Sequence, residues 1–331
     1  MLFPKFKKYI TDNNLLRKGD RVLVAVSGGI DSMVLLDLIS RIAKPLDLSV
    51  VVAHVNHCLR GKASDADEML VRKMCEKYNL ECEVLKKKPP GQKNLQDGAR
   101  QMRYDFFEKI AIKNNTPLVL TAHHKDDQAE TILLHWLRGA GLKGLAGMKP
   151  ISALGNLFLA RPLLCASRLD IKEYAKRNRI NYREDATNLG TKYSRNAIRH
   201  RLIPVLKEFN PQIISSLVST GERIARDDEA LDIVVHEALD QAMASLKPNE
   251  ITIHRAIYSH LPAAVRLRLL RLAFAEASGS TKDLNSDQVK HMDEIALGDK
   301  KNGTYRLPAS WKFAREGELL CMRLSGVKCD R

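Results

Sequence analysis

Apolar positions in the first half of the chain fall into two alternating patterns. Short continuous runs rich in Val, Leu and Ile occur at residues 22–26, 48–54, 81–85, 117–122 and 157–160. Between them, at 33–42, 66–78, 94–113 and 127–137, apolar residues recur at three- and four-residue spacing. The runs predict strands and the spaced stretches helices. Strands that alternate with helices predict a parallel sheet covered on both faces. Right-handed crossovers then bring the strand ends, and whatever follows them, to one edge. The expected fold class is α/β, a parallel sheet flanked by helices.

Beyond residue 165 the pattern changes. Ser167-Arg168-Leu169-Asp170 fits a capping box opening a helix through Arg179. Asn210-Pro211 marks a second boundary, with Asn able to cap and Pro suited to a first helical position. Residues 212–246 read as helix with Gly221 as a candidate break; unbroken, this stretch spans roughly 50 Å and can link two domains. A basic amphipathic helix at 263–277 and β-like segments at 303–307 and 319–324 follow. The expected division is a first domain over 1–210 and a linker helix with a smaller, mainly helical domain over 211–331.

The sharpest local signal follows the first strand. Ser27-Gly28-Gly29-Ile30-Asp31-Ser32 is a tight turn into a helix, with small residues where backbone N–H groups must face an incoming group. The first amides of a helix lack partners within it, and the macrodipole makes that end attractive to anions. No Gly-Lys-Ser or Gly-Lys-Thr follows, so the turn is not a Walker A loop. It resembles instead the pyrophosphate loop of the ATP-pyrophosphatases, which implies ATP split into AMP and pyrophosphate.

Charge sharpens this picture. Lys and Arg number 54 against 39 Asp and Glu, a net charge of +15. Such a surplus favours a polyanionic partner, and nucleic acid suits a protein that handles ATP. Aromatic residues make up only 5% of the chain, which argues against extended base-stacking platforms. No run of about 18 apolar residues is present, and Met1–Ile10 is Lys-interrupted, unlike a signal peptide. The six cysteines contain no Cys-x-x-Cys and read as free thiols in a reducing cytoplasm.

Other constellations follow later strands. His54-Val55-Asn56-His57-Cys58-Leu59-Arg60 tempts a zinc reading, but no second ligand pair appears. Its His, Asn and Arg suit adenine, ribose or RNA phosphate better, although His54 alone equally suits a satisfied strand-end histidine. Arg100 and Arg103 share a helix face and suit phosphate; a solvated face is the plainer reading. Asp127 and Glu130 project together and can hold Mg²⁺ or an ammonium group, while Asp126 or Asp127 can equally serve as a helix cap. Gly139-Ala140-Gly141-Leu142-Lys143-Gly144 follows a helix, which fails the dinucleotide-binding context and leaves a Gly-rich connection. Arg195 and Arg199 share a helix face with Asn196 and His200 beside them, an anion-facing surface or a solvated one.

Taken together, Ser27–Ser32, the His54–Arg60 segment, residues 99–104, 121–147 and 161–164, Asp185-Ala186-Thr187-Asn188 and Arg195–His200 resemble the tRNA(Ile)-lysidine synthetase family of PP-loop enzymes. The likeness covers about residues 21–207 and departs at Ala186-Thr187, where Ser or an acidic residue is commoner. It implies an adenine nucleotide alpha hydrolase-like fold and a cytoplasmic ligase acting on isoleucine tRNA with a CAU anticodon. Oxygen 2 of the wobble cytidine is adenylated by ATP, and free L-lysine then displaces AMP. The resemblance assigns Ser27, Gly28, Gly29, Ile30, Asp31, Ser32, His54 and Asn56 to ATP. Asp31, as base or Mg²⁺ ligand, joins Arg103 and Arg199 as catalytic candidates. Asp127 and Glu130 are expected to recognise lysine, and Arg195, Arg266, Arg268 and Arg271 to meet tRNA phosphates. A homodimer is one reading of an open oligomeric state.

Related cytidine thiolases depend on a Cys-x-x-Cys pair, and glutamine-dependent synthetases carry an amidotransferase domain; neither is present. A non-catalytic nucleic-acid-binding protein is the remaining alternative, and it would have no need of Asp31, Asp127 and Glu130.

Overall fold

In a computed structural model, residues 1–90, 95–183, 195–280 and 284–325 are described. The chain divides into two compact units, Met1–Ala225 and Arg226–Arg331.

In the first unit the elements run α1 (Leu2–Asp12), β1 (Arg21–Ala25), α2 (Ile30–Ala43), β2 (Ser49–Asn56), α3 (Lys62–Tyr78), β3 (Glu81–Lys86), α4 (Leu95–Lys113), β4 (Leu118–Leu120) and α5 (Lys125–Leu137). They continue with α6 (Leu142–Leu145), β5 (Ile151–Leu154), β6 (Leu157–Ala160), a 3-10 turn at Pro162–Cys165, α7 (Arg168–Arg177), α8 (Arg195–Ala197), a π-helical turn at Ile198–Leu202 and α9 (Ile203–Phe209). The sheet order is β3-β2-β1-β4-β6-β5. All neighbours pair in parallel except β5, which returns antiparallel on β6 through a turn in which Gly155 takes a positive φ. Strand β5 is absent from the sequence expectation, because its four residues are mostly exposed and carry no apolar run.

The continuous apolar runs are explained by burial on both faces. Val22 and Val24 of β1, with Val50 and Val52 of β2, face a core shared with α1, α2, α3 and α7. Leu23, Val51 and Ala53 point the other way, against Phe107, Ile110 and Ala111 of α4. One buried acid organises the first of these layers. Asp37, on α2, accepts Tyr78 Oη and Tyr174 Oη, each at 2.6 Å, and Arg41 Nε at 2.8 Å. Helices α2, α3 and α7 are thereby joined on one carboxylate.

Helix α10 (Ile213–Ala242) runs unbroken through Gly221, and the boundary between the units falls inside it. Gly221 is a packing residue: a Cβ there would lie 2.8 Å from Ile132 Cδ1 of α5. The helix ends sooner than the sequence suggests, since residues from Met243 turn into a strand.

The second unit continues with β7 (Met243–Lys247), β8 (Glu250–His254), α11 (Arg255–His260), α12 (Ala263–Ser278), α13 (Ser286–Leu297), β9 (Asn302–Arg306), β10 (Trp311–Glu316) and β11 (Leu319–Leu324). Its residues are helical for the larger part, as expected, but an antiparallel sheet in the order β7-β8-β11-β10-β9 forms one wall of its core. Ile251, Ile253, Phe313, Leu320 and Met322 pack there against Leu269, Leu270 and Phe274 of α12 and Met292 of α13. Among the described residues no helix is long and apolar enough to cross a membrane.

Replacing Asp37 by Ala strands two tyrosine hydroxyls and a guanidinium without their shared acceptor. We expect a loss of about 2–4 kcal/mol in urea unfolding followed by circular dichroism.

Candidate active site

Strand β1 hands the chain to a loop whose shape is set by two glycines and two hydroxyls. Gly28 takes φ +92, a conformation that side chains disfavour, and a Cβ there would stand 3.3 Å from Asp67 Cβ. Gly29 is the N-cap of α2, and no side chain caps that end. The first amides of the helix are therefore available to an anion. Ser32 closes the loop on itself: its hydroxyl donates to Gly29 O at 2.9 Å and accepts from Ser27 N at 3.1 Å. Ser32 thus shapes the nest from within. Ile30 begins the helix with its side chain in the core.

Next to this loop lies a cluster of acids. His124 caps α5, accepting Asp126 N on Nδ1 at 3.2 Å, and Asp127 Oδ2 accepts His124 N at 3.0 Å in return. A neutral imidazole that accepts on Nδ1 carries its proton on Nε2. That Nε2 lies 3.4 Å from Asp127 Oδ2 and 3.8 Å from Asp31 Oδ1. Asp31 Oδ1 is itself buried without a hydrogen-bond partner. Burial pushes the Asp31 carboxyl above the ordinary carboxylate range, with His124 pulling it down and Asp127 adding to the rise.

Arg199 completes the cluster from the π-helical turn, a local widening that recurs at functional positions. Its Nε donates to Glu130 Oε1 at 2.5 Å, and its Nη2 to Glu130 Oε2 and Asp127 Oδ1, each at 3.0 Å. Burial raises the Glu130 carboxyl, while the guanidinium works against that rise. Burial likewise opposes the charge on Arg199, but the Glu130 hydrogen bond and the surrounding carboxylates outweigh it and hold the cation. The two acids expected to receive an ammonium group are thus engaged with a cation of the chain itself. Arg195 Nη2 donates to Thr131 Oγ1 at 3.0 Å on the same side of α5.

A cleft of about 780 Å³ opens from the loop toward α4, lined by Ser27, Gly29, Asp31, His54, Asn56, Arg103 and Arg195 among others. Arg103 reaches it with no carboxylate partner among the described residues. His54 makes a 2.8 Å hydrogen bond from Nδ1 to Val26 O, and its buried Nε2 has no partner. Burial lowers the His54 pKa, so the ring is neutral and offers an acceptor. Asn56 braces its loop: its amide donates to Asp65 and Glu68, and its oxygen accepts Cys58 N at 2.9 Å. His123, bonded to Thr121 Oγ1 at 2.9 Å, is lowered by burial to about 4 and is neutral near pH 7. Asp126 accepts Arg168 N at 2.8 Å and so serves α7.

Two groups went unmarked in the sequence. His124 drew no role of its own there, the cap being expected from Asp126 or Asp127, whereas the N-cap is His124 itself. Asp67 carries no signal in the sequence, yet it is buried and accepts Arg60 Nη2 at 2.6 Å and Arg183 Nε at 2.7 Å. Its spacing seven residues after Arg60, with Ser-Gly-Gly nearby in space, carries no recognisable pattern. The segment Asp185–Asn188 lies outside the described residues.

The arginines of α12 each have partners within the second unit. Arg266 makes a two-pronged pair with Asp293, and Arg268 contacts Asp228 and Asp232. Arg271 donates to Leu284 O and Ser286 Oγ. These bonds lie inside the second unit and account for the crowding of positive charge on one helix by internal pairing.

Residues 3–206 match the family model described as the PP-loop domain. A protein named tRNA(Ile)-lysidine synthase from Geobacter sulfurreducens is 37% identical over 93% of this chain and 66% of its own length. One of the same name from Clostridium acetobutylicum is 33% identical over 95% of this chain and 68% of its own. The chain therefore spans about two thirds of the length of the curated relatives it matches. Among solved structures, the U34-tRNA thiolase NcsA from Methanococcus maripaludis superposes with a TM-score of 0.56 at 18% identity, covering 67% of this chain and 78% of that one, a likeness of fold alone.

Asp31→Asn removes a buried charge with no hydrogen-bond partner on Oδ1 among the described residues. A raised folded-state pKa means that ionised Asp31 costs stability at neutral pH and protonated Asp31 does not. We expect the variant to melt about 2–4 °C higher at pH 7 by calorimetry, with the gap closing as pH falls through the raised pKa.

Proposed function

The chain belongs to the PP-loop family and, within it, to the tRNA(Ile)-lysidine synthases, and on that premise we propose that it ligates free L-lysine to carbon 2 of the wobble cytidine in the CAU anticodon of isoleucine tRNA. ATP is consumed, and AMP and pyrophosphate are released. What supports this reading most is the orphaned Asp31 oxygen between an anion-binding loop and a cluster of paired charges. An acid so placed is costly to the fold and useful to a proton transfer next to phosphate.

The uncapped start of α2 receives the pyrophosphate end of ATP, with Ser27, Gly28 and Gly29 allowing close approach and Ser32 holding the turn. His54 Nε2 and the strand ends around it line the part of the cleft open to the adenosine, and Asn56 positions that loop. Cytidine oxygen 2 attacks the α-phosphorus and pyrophosphate leaves. Arg103, facing the cleft without a counter-ion among the described residues, meets the charge that develops there.

Lysine arrives as an ammonium, its side-chain pKa about 10.4, and must lose a proton before its nitrogen can attack carbon 2. Asp127 and Glu130 recognise that ammonium by exchanging it for Arg199, which is thereby released toward the adenylated base. Asp31, raised by burial and facing His124 Nε2, accepts the proton. The new C–N bond forms as the bond to oxygen 2 breaks, and AMP carries that oxygen away. The alternative role of Asp31 is to hold Mg²⁺ through its unpartnered oxygen, where the ion would supply charge neutralisation on the phosphates in place of proton acceptance. The surplus of 54 basic over 39 acidic residues suits a tRNA partner.

The test is incorporation of labelled lysine into CAU-anticodon isoleucine tRNA with ATP, with one AMP formed per lysine. We expect Asp31→Asn to lower turnover by at least about 100-fold. Arg103→Ala should lower turnover by about 10²–10³-fold while tRNA affinity stays within about threefold. Equal losses in turnover and affinity would remove Arg103 from the catalytic step, and tRNA binding without lysine transfer would overturn the ligase reading.

A further inference from the structure

The carboxylate of Asp67 is an anion built against a loop shaped for anions. It is buried on α3, and its Cβ lies 3.3 Å from the position a Gly28 Cβ would take. Both of its oxygens accept from guanidiniums, Arg60 at 2.6 Å and Arg183 at 2.7 Å. Arg183 is also attached to the loop through its main chain, donating N–H to Gly28 O at 3.0 Å. All three side chains line the same cleft as Ser27 and Gly29. The planar fork of arginine suits phosphate oxygens as well as it suits carboxylate.

We propose that Asp67 stands in for phosphate: it holds Arg60 and Arg183 at the pyrophosphate loop until nucleotide arrives, yields both guanidiniums to the pyrophosphate oxygens, and takes them back as pyrophosphate leaves. The proposal rests on the reading of this loop as the pyrophosphate site. Asp67 is then a positioning residue that competes with the product for the same two cations. A carboxylate that merely braced the loop would make the opposite demand, because any loss of it would loosen the site.

The sign of the effect separates the two. Inorganic pyrophosphate is titrated by calorimetry into the full-length chain and into Asp67→Asn, Arg60→Gln and Arg183→Gln, with AMP as the control ligand. We expect Asp67→Asn to bind pyrophosphate about 3–10-fold more tightly, since a like charge that competes for the same guanidiniums is removed. Each arginine variant should bind it about 3–10-fold more weakly, with AMP affinity within about twofold throughout. Asp67→Ser, the same neutralisation with a smaller side chain, should tighten pyrophosphate binding in the same direction. Weaker binding in both Asp67 variants overturns the proposal in favour of a brace, and unchanged binding in both arginine variants overturns it as well. A wild-type chain that binds neither ATP nor pyrophosphate overturns the pyrophosphate-loop reading itself, whereas binding with the wrong pattern among the variants overturns only the role of Asp67.

Discussion

Parallel strands can be joined only by crossovers, so every connection that follows a strand starts from the same edge of the sheet. In this chain that constraint collects the segments after β1, β2 and β4, which carry Ser27–Ser32, His54–Arg60 and His123–Glu130. Strand β1 lies between β2 and β4, so the direction of winding reverses there and a crevice opens beside it. Asp31 and Asp127, nearly a hundred residues apart in the chain, come within reach of one imidazole without any long loop.

The electrostatics of that edge combine acids in unlike circumstances. Glu130 and Asp31 are both raised by burial, but Glu130 is bonded to a guanidinium whereas Asp31 has a histidine at 3.8 Å. Asp126 is spent on the amide of Arg168, and Asp67 on two arginines. With Asp127, which also meets Arg199, five carboxylates in one neighbourhood thus divide into a cap, three partners for arginine and one oxygen left open. Removing the partner of a buried charge is more damaging than never having paired it, which is why the paired acids hold the architecture and the unpaired one is free for chemistry.

How far the sequence could be read follows from the same physics. Strands buried on both faces leave continuous apolar runs, so β1 and β2 were legible to within about two residues, and β6 kept an apolar run although Phe158 is exposed. Strand β7 was hidden because Met243–Lys247 continues the composition of the preceding helix, and β10 because Lys312, Arg315 and Glu316 interrupt its apolar residues. Gly221 read as a break although its missing side chain is what lets α10 approach Ile132. At the site, residue types and loop positions were legible, but partners were not. Nothing local in Arg199 or Arg266 says whether its guanidinium meets a phosphate or a carboxylate from a distant helix.

The Asp37 junction bears on the kinetics of whatever enters the cleft. It fastens α2 to α3 and α7 two turns beyond the residues that open toward the anion site. A loop fastened in this way, with Ser32 already bonded across it, has little freedom left to lose when a ligand docks. Association should then be limited by encounter and charge steering rather than by a slow ordering step, and the entropy of binding should be set by released water and counterions. The rigidity that makes the loop receptive is laid down during folding, at a carboxylate that no ligand touches.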